Sequence, residues 1–249
     1  MIDIHAHILP GVDDGSPSLA SSLEMARLAL EGGVDAMIAT PHCNLPEGDG
    51  ALWADALARR TEKLSAALAE ENIPLRLYAG MEIFGLPDTA EKLRDGSLCT
   101  LASSRYPLIE FPFHDYGLEA TALLDRVLAL GLRPIVAHPE RYRYAQDEPR
   151  LLNLWADMGC LLQVNRGSLL GRFGPRAEAL GHGLVARGFA AFVASDAHTS
   201  VVRTPWMRDV QQLLRREYSP RTARLLLEEN AERVLCNETI EMDEPDWFD

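Results

Sequence analysis

The chain has 249 residues, with 24 basic and 37 acidic side chains, a net charge of −13 and 47% hydrophobic content. That length suits one barrel-sized domain, and apolar residues recurring in every segment exclude global disorder. The acidic balance argues against a nucleic-acid binder, because phosphate backbones select basic surfaces.

Short apolar runs alternate with longer amphipathic segments almost from end to end. Strands are predicted over 2–5, 34–40, 75–82, 108–111, 134–138, 161–165 and 190–195. Between and after them, helices are predicted over 18–31, 51–71, 117–130, 147–158, 174–187, 205–217 and 220–235. Glycines at 32–33, 131 and 159 follow the last turns of three of these, as helix stops do. Strand–helix alternation implies parallel βα units, and about seven of them suit an α/β barrel, closed or nearly so. A doubly wound sheet is the alternative. The final EMDEPDWFD is acidic and reads as a loosely held tail beyond a domain spanning 1–236.

Four cysteines, at 43, 99, 160 and 236, show no C-x-x-C spacing and no dense framework. The opening MIDIHAH has neither a basic nor an apolar leader region, and no apolar run approaches ~18 residues. The expectation is a soluble cytoplasmic protein without membrane insertion.

Polar residues with metal-binding chemistry gather at the predicted strand ends, where barrel enzymes assemble their sites. His5 and His7 stand at i and i+2, on one side of an extended chain. Asp14 follows on a turn with Asp13 and Gly15, His42 follows strand two, and Glu82 ends strand three. Glu110 lies in the apolar run Leu108-Ile109-Glu110-Phe111, where an unpaired carboxylate is expensive. His138 ends strand five, and Asp196-Ala197-His198 repeats the i, i+2 pairing at strand seven. Each residue alone reads equally well as a satisfied core group or a helix cap. Together, nine donors at strand ends point to metal, and they exceed what one ion takes. Two or three ions sharing carboxylates fit the set, and the His/carboxylate mixture suits Mn, Fe or Zn better than Ca. Four carboxylates facing three divalent ions leave a local charge of about +2, favourable to an anionic substrate within a Debye length of ~8 Å. Arg141 and Arg203, close after His138 and His198, offer guanidinium forks for phosphate oxygens.

The run MIDIHAHILPGVDDG, then TPH, AGMEIF, SRYPLIEF, AHPERY, MGCLLQVN and ASDAH, resembles the polymerase-and-histidinol-phosphatase (PHP) superfamily. Within it, the chain most resembles the CpsB-type bacterial tyrosine phosphatases of capsule and exopolysaccharide loci. The resemblance, from Met1 to about Val234, implies a distorted (β/α)7 barrel with three metal ions. It implies His5, His7, Glu82 and Asp196 on one ion. Glu82 would bridge to a second held with Glu110 and His138, and Asp14, His42 and His198 would hold the third. Arg141 and Arg203 match phosphate-contacting arginines. The implied activity is phosphotyrosine hydrolysis by a metal-bridging hydroxide. The implied partner is the phosphotyrosine tail of a bacterial tyrosine kinase that controls exopolysaccharide synthesis. The segments 42–50 and 112–118 follow no fixed family pattern, which leaves rim contacts open.

Four rival readings compete. Cys99 and Arg105 satisfy C-x5-R, but the intervening loop lacks glycine and runs into a strand rather than a phosphate-cradling helix. An amidohydrolase would place a modified lysine at a strand end, whereas Lys63 and Lys92 fall in predicted helical segments. A histidinol-phosphate or other small-molecule phosphoesterase shares the superfamily and metals. A metal-dependent regulatory scaffold is the non-enzyme alternative, and the complete ligand set argues against it.

Overall fold

The computed structural model describes residues 1–46, 54–114 and 116–249. Among them lie nine strand segments: β1 (Ile2–Ala6), β2 (Ala36–Ala39), β3 (His42–Cys43), β4 (Arg76–Ala79), β5 (Glu82–Phe84), β6 (Leu108–Glu110), β7 (Ile135–Ala137), β8 (Leu161–Asn165) and β9 (Ala190–Ala194). All pairings between them are parallel, in the orders β1-β2-β4 and β3-β5-β6-β7-β8-β9. Parallel neighbours need crossovers, and the amphipathic segments supply them.

The strand predicted over 75–82 is broken into two pieces, and the one predicted over 34–40 is followed by a further short segment, β3. Pro41 has no N–H to donate, so β2 ends before it and β3 resumes beyond it. Gly80 interrupts the next line where a β-carbon would come within 2.7 Å of Ile38 and 2.8 Å of Leu101. Pairing continues across both breaks: Gly80 N–H donates to Ala39 O at 2.9 Å and Glu82 N–H to Pro41 O at 3.1 Å. The nine segments thus form seven strand lines. The first and last meet at a short parallel bridge between Ala6 and Ala197 rather than along a continuous ladder. Buried Asp3 secures that junction, accepting from Ser195 N–H at 3.0 Å and from the Ser195 hydroxyl at 2.5 Å. The result is a distorted (β/α)7 barrel.

One apolar cluster packs strand residues Met37, Ile109, Val136, Leu162 and Val193 against the surrounding helices. These include α1 (Leu19–Glu31), α2 (Ala54–Glu70), α3 (Thr89–Asp95) and α4 (Gly117–Leu128). Residues 51–53, the start of the helix expected over 51–71, lie outside the described residues. A second cluster uses the opposite strand face, with Ile4, Ile38, Leu108, Ile135, Leu161 and Phe192, joined by Val234 and Ile240. Strand alternation carries that inner face upward to Glu110 on β6 and to Gln163 and Asn165 on β8. The barrel interior is therefore apolar at one end and polar at the strands' C-terminal ends.

The helix expected over 147–158 is α6 (Arg150–Asp157), with Pro149 at its start, and a short α5 (Arg143–Asp147) precedes it. A one-turn α7 (Arg166–Leu169) follows β8, then come α8 (Pro175–Ala186), α9 (Arg208–Glu217), α10 (Pro220–Arg224) and α11 (Asn230–Leu235). The acidic C-terminal stretch is not loose, which corrects the composition-based expectation. Ile240 is fully buried, the Tyr106 hydroxyl donates to Glu238 O at 2.6 Å, and Phe248 stacks on Phe189 at 5.1 Å. Apolar and backbone contacts, which charge counting ignores, hold it.

Candidate metal centre

Every donor singled out in the sequence is drawn to the C-terminal end of the barrel. Glu82 is the hub. Its Oε1 lies 3.2 Å from His5 Nε2 and 3.0 Å from His138 Nε2, and its Oε2 lies 3.2 Å from His7 Nε2 and 2.9 Å from His42 Nδ1. Glu110 stands 3.5 Å from His138 and 3.6 Å from His42. Asp196 Oδ1 faces His5, His7 and His198 at 3.6, 3.5 and 3.6 Å. On the open side, exposed Asp14 reaches His198 at 3.3 Å and His42 at 3.6 Å.

These residues compose four overlapping groups whose ligand atoms lie within 4.8 Å of one another: His7, Asp14, His42 and His198; His5, His7 and Asp196; His5, Glu82 and His138; and His42, Glu82 and Glu110. The three sets implied by the resemblance regroup into four: His7 also joins the outer group, Glu82 separates from His5, His7 and Asp196 taken together, His5 joins Glu82 and His138, and Glu110 falls with His42 and Glu82.

Backbone strain aims two of the donors. His138 and Asp196 adopt left-handed φ values of 33° and 51° at the ends of β7 and β9. The Asp13–Asp14 turn presses equally close: a β-carbon on Gly15 would meet His7 O at 2.3 Å, so only glycine fits.

Hydrogen bonds define which imidazole nitrogen is available. His7 Nδ1 lies 2.6 Å from the Asp13 carboxylate, an acceptor, so its proton belongs there and its lone pair on Nε2. His198 Nδ1 faces the Asp196 carbonyl at 3.1 Å with the same consequence. His5 Nδ1 lies 2.9 Å from Gln163 Oε1, and His5 Nε2 is 3.3 Å from His7 Nε2. Two nitrogen lone pairs at that separation, facing carboxylate oxygens, repel unless a cation lies among them. Glu82 Oε2, Asp196 Oδ1 and His42 Nδ1 are buried without a hydrogen-bond partner among the described residues. The donor set therefore fits metal ions.

Electrostatics agree. Burial pushes the Glu82 and Asp196 pKa values upward, yet the imidazoles facing both, helped at Asp196 by Arg203, hold these carboxyls well below the usual range. Burial would lower the histidine values, but neighbouring carboxylates raise them: Glu82 and Asp196 at His5, Asp13 with Asp196 and Glu82 at His7, and Glu82 with Glu110 at His42. The pocket recruits positive charge. Glu110 is pushed up to about 8 by burial and by the neighbouring Glu82 charge.

Both arginines reach this cluster through Asp196. Arg203 pairs with Asp196 Oδ2, and its Nη1 lies 2.9 Å from His198 Nε2. Arg141 Nη1 lies 3.3 Å from the same oxygen, its guanidinium between the Phe113 and Phe173 rings at 4.8 and 4.3 Å.

Sequence reasoning assigned no role to Asp13, Gln163, Asn165 or the two phenylalanines. Gln163 and Asn165 carried a usable signal, being polar at i and i+2 inside an apolar strand. Phe113 and Phe173 carried none, since only the tertiary fold brings them to Arg141. The rival motifs fall elsewhere. Burial pushes the Cys99 thiol up to about 12, and Arg105 binds the Asn237 side chain. Lys63 lies on α2, and Lys92 on α3 pairs with Asp88.

A parallel barrel holding several overlapping ligand groups at its C-terminal end defines a metallohydrolase-type protein. The chain belongs to the CpsB/CapC family of capsular polysaccharide synthesis, whose model matches residues 1–236. It is 38% identical over 240 residues to tyrosine-protein phosphatase YwqE of Bacillus subtilis, covering 96% of this chain and 93% of that one. A chain from the crystal structures of YwqE from Bacillus subtilis and CpsB from Streptococcus pneumoniae, described as unique metal-dependent tyrosine phosphatases, superposes with TM-score 0.94. That match has 36% identity and covers 100% of both chains. The phosphotriesterase homology protein of Escherichia coli shares the fold alone, with TM-score 0.59 and 16% identity over 94% of this chain and 98% of that one.

Proposed function

We propose that this chain is a metal-dependent protein tyrosine phosphatase that hydrolyses phosphotyrosine directly, without a covalent enzyme intermediate. The observation that carries the reading is the Glu82 hub, one buried carboxylate within 3.2 Å of four imidazoles. The kinship with YwqE and CpsB supports the substrate class.

In this reading His5, His7, Glu82 and Asp196 would hold one ion, Glu82, Glu110 and His138 a second, and Asp14, His42 and His198 a third. Glu110, near both His138 and His42, is able to serve either neighbour. Manganese, iron and zinc all suit the mixture of imidazole and carboxylate. When bound, such ions supply Lewis acidity toward phosphoryl oxygens and make a water acidic enough to ionise near pH 7.

The protein's own groups do the rest. Asp13 and Gln163 hold His7 and His5 in the tautomer that exposes Nε2. Asp196 keeps both guanidinium groups at the mouth, where an arriving phosphate competes for their N–H donors. The Phe113 and Phe173 faces hold the Arg141 fork in one plane. Charge moving onto the equatorial oxygens then meets donors already in place. The leaving phenolate has a conjugate acid of pKa ~10, so no strong general acid is required.

The substrate we infer is the phosphotyrosine tail of a bacterial tyrosine kinase, and the role is control of capsule or exopolysaccharide synthesis in the cytoplasm. Among the described residues no helix is long and apolar enough to cross a membrane. The test is to strip the protein with chelator and assay a phosphotyrosine peptide before and after adding Mn²⁺. Turnover is expected to vanish and return with the metal. Full activity in strong chelator, with no bound metal by elemental analysis, would end this reading.

A further inference from the structure

Strand β8 supplies no member of the four ligand groups, yet two of its side chains connect two that do. Gln163 and Asn165 are fully buried on the inner face of β8. His5 Nδ1 lies 2.9 Å from Gln163 Oε1, Gln163 Nε2 donates to Asn165 Oδ1 at 2.9 Å, and Asn165 Nδ2 donates to Asp196 Oδ2 at 2.6 Å. The direction of this chain is fixed from its Asp196 end. An ionised carboxylate only accepts, so Asn165 must turn its NH2 toward Asp196. Its oxygen then faces Gln163, which must answer with its own NH2. The Gln163 oxygen is what remains for His5, and it too only accepts. His5 is left with its proton on Nδ1 and its lone pair on Nε2.

We infer that Gln163 and Asn165 form a tautomer relay, positioning residues through which Asp196 dictates the ligand-competent form of His5. The need for it is local. His5 Nε2 lies 3.2 Å from Glu82 Oε1, so an unconstrained ring gains by donating its proton there, which would block the nitrogen that ligates. His7 avoids that outcome by facing Asp13 directly. His5 has no carboxylate at Nδ1, and two amides carry the polarity of Asp196 to it. Hydrogen bonds at the non-ligating nitrogen typically govern metal affinity by ~10–100-fold.

The inference rests on the metal centre proposed above, so the test reads tautomer and metal binding separately. Metal-free protein with ¹⁵N-labelled histidine is examined by NMR at alkaline pH, where the rings are neutral, and Mn²⁺ affinity is measured against a competing chelator. In the wild type, His5 is expected to be the Nδ1–H tautomer. Gln163→Leu should move that proton to Nε2 and weaken Mn²⁺ binding by ~10–100-fold. Gln163→Glu still offers an acceptor, so it should retain the Nδ1 proton and bind Mn²⁺ at least about tenfold more tightly than Gln163→Leu. Asn165→Leu cuts the relay without touching His5. It frees the Gln163 amide to flip and should also shift the proton to Nε2. Equal metal loss in the Leu and Glu variants of Gln163, or an unchanged His5 tautomer in Asn165→Leu, would overturn the relay. A wild type that takes up no Mn²⁺ would instead remove the metal-centre reading, while the tautomer shifts would still decide the relay.

Discussion

His138 and Asp196 show what single residues contribute, because each combines a strained backbone with a buried polar head. A left-handed φ on a non-glycine residue costs about 1–3 kcal/mol, and the surrounding strands must hold it there. The side chains so aimed are ligands in the proposed centre. His138→Ala or Glu110→Ala should therefore abolish measurable turnover and lower bound metal by about one ion per chain, with the fold intact by circular dichroism. In the proposed function Arg141 and Arg203 serve the substrate phosphate rather than ligating metal. Each charge-assisted contact is worth ~1.5–3 kcal/mol, so either alanine variant should lower kcat/KM by ~10–100-fold. If both arginines touch only phosphate, steady-state kinetics will show the same loss for small aryl phosphates and for peptides. Cys99 provides the contrasting case. Burial pushes its thiol up to about 12, which disfavours the thiolate that a cysteine nucleophile needs. Cys99→Ser should keep near wild-type turnover; a fall of several orders of magnitude in kcat in folded protein would restore the thiol mechanism.

At the scale of elements, hydrophobic alternation and strand-end chemistry were legible before the structure was known. Apolar runs located all seven strand lines, because parallel barrel strands are buried on both faces. The strand predicted over 34–40 already stops before Pro41, but the break at Gly80 is not legible, since it depends on Ile38 and Leu101 packing against the line. The nine donors were visible because histidine and carboxylate are rare at such apolar strand ends. Their division into four overlapping groups was not, because it depends on distances between strands far apart in sequence. Asp13 was hidden by its neighbour: two adjacent aspartates on one turn look alike, and only the fold sends one to His7 and the other to His42 and His198. Glu140, at the start of the short turn after β7, is a further residue whose state the sequence concealed. Burial raises its pKa to about 7, incompletely offset by the Ser168 hydroxyl at 2.6 Å and the Asn165 N–H at 2.9 Å. The native state then keeps this proton where the unfolded chain, with a pKa near 4.5, has lost it. Stability should therefore fall as pH rises from the unfolded value toward 7, and level off above it, by about 2–4 kcal/mol from this group. Urea denaturation of metal-free protein across that range should show the fall, and Glu140→Gln should make it shallower, Glu110, pushed up to about 8, contributing in the same direction. An unchanged slope in that variant would mean that another group is responsible.

Across the whole molecule, a surface of net charge −13 surrounds a pocket that gathers positive charge. That contrast suits an anionic group on a flexible segment better than a large acidic partner, which the general surface would repel. The two ends of the barrel divide the labour. Tyr106, Val234 and Ile240 seal the lower end with apolar contact, while the upper end holds the donors and both arginines. The same centre would serve histidinol phosphate, and only the rim distinguishes the two substrates. The most direct test is kcat/KM for a phosphotyrosine peptide, a phosphoserine peptide and histidinol phosphate on one metal-replete preparation. The phosphotyrosine peptide is expected to be the preferred substrate. If histidinol phosphate is instead preferred by about a hundredfold or more, a difference of about 2.7 kcal/mol in transition-state stabilisation, the tyrosine-phosphatase assignment is contradicted and a small-molecule phosphoesterase takes its place.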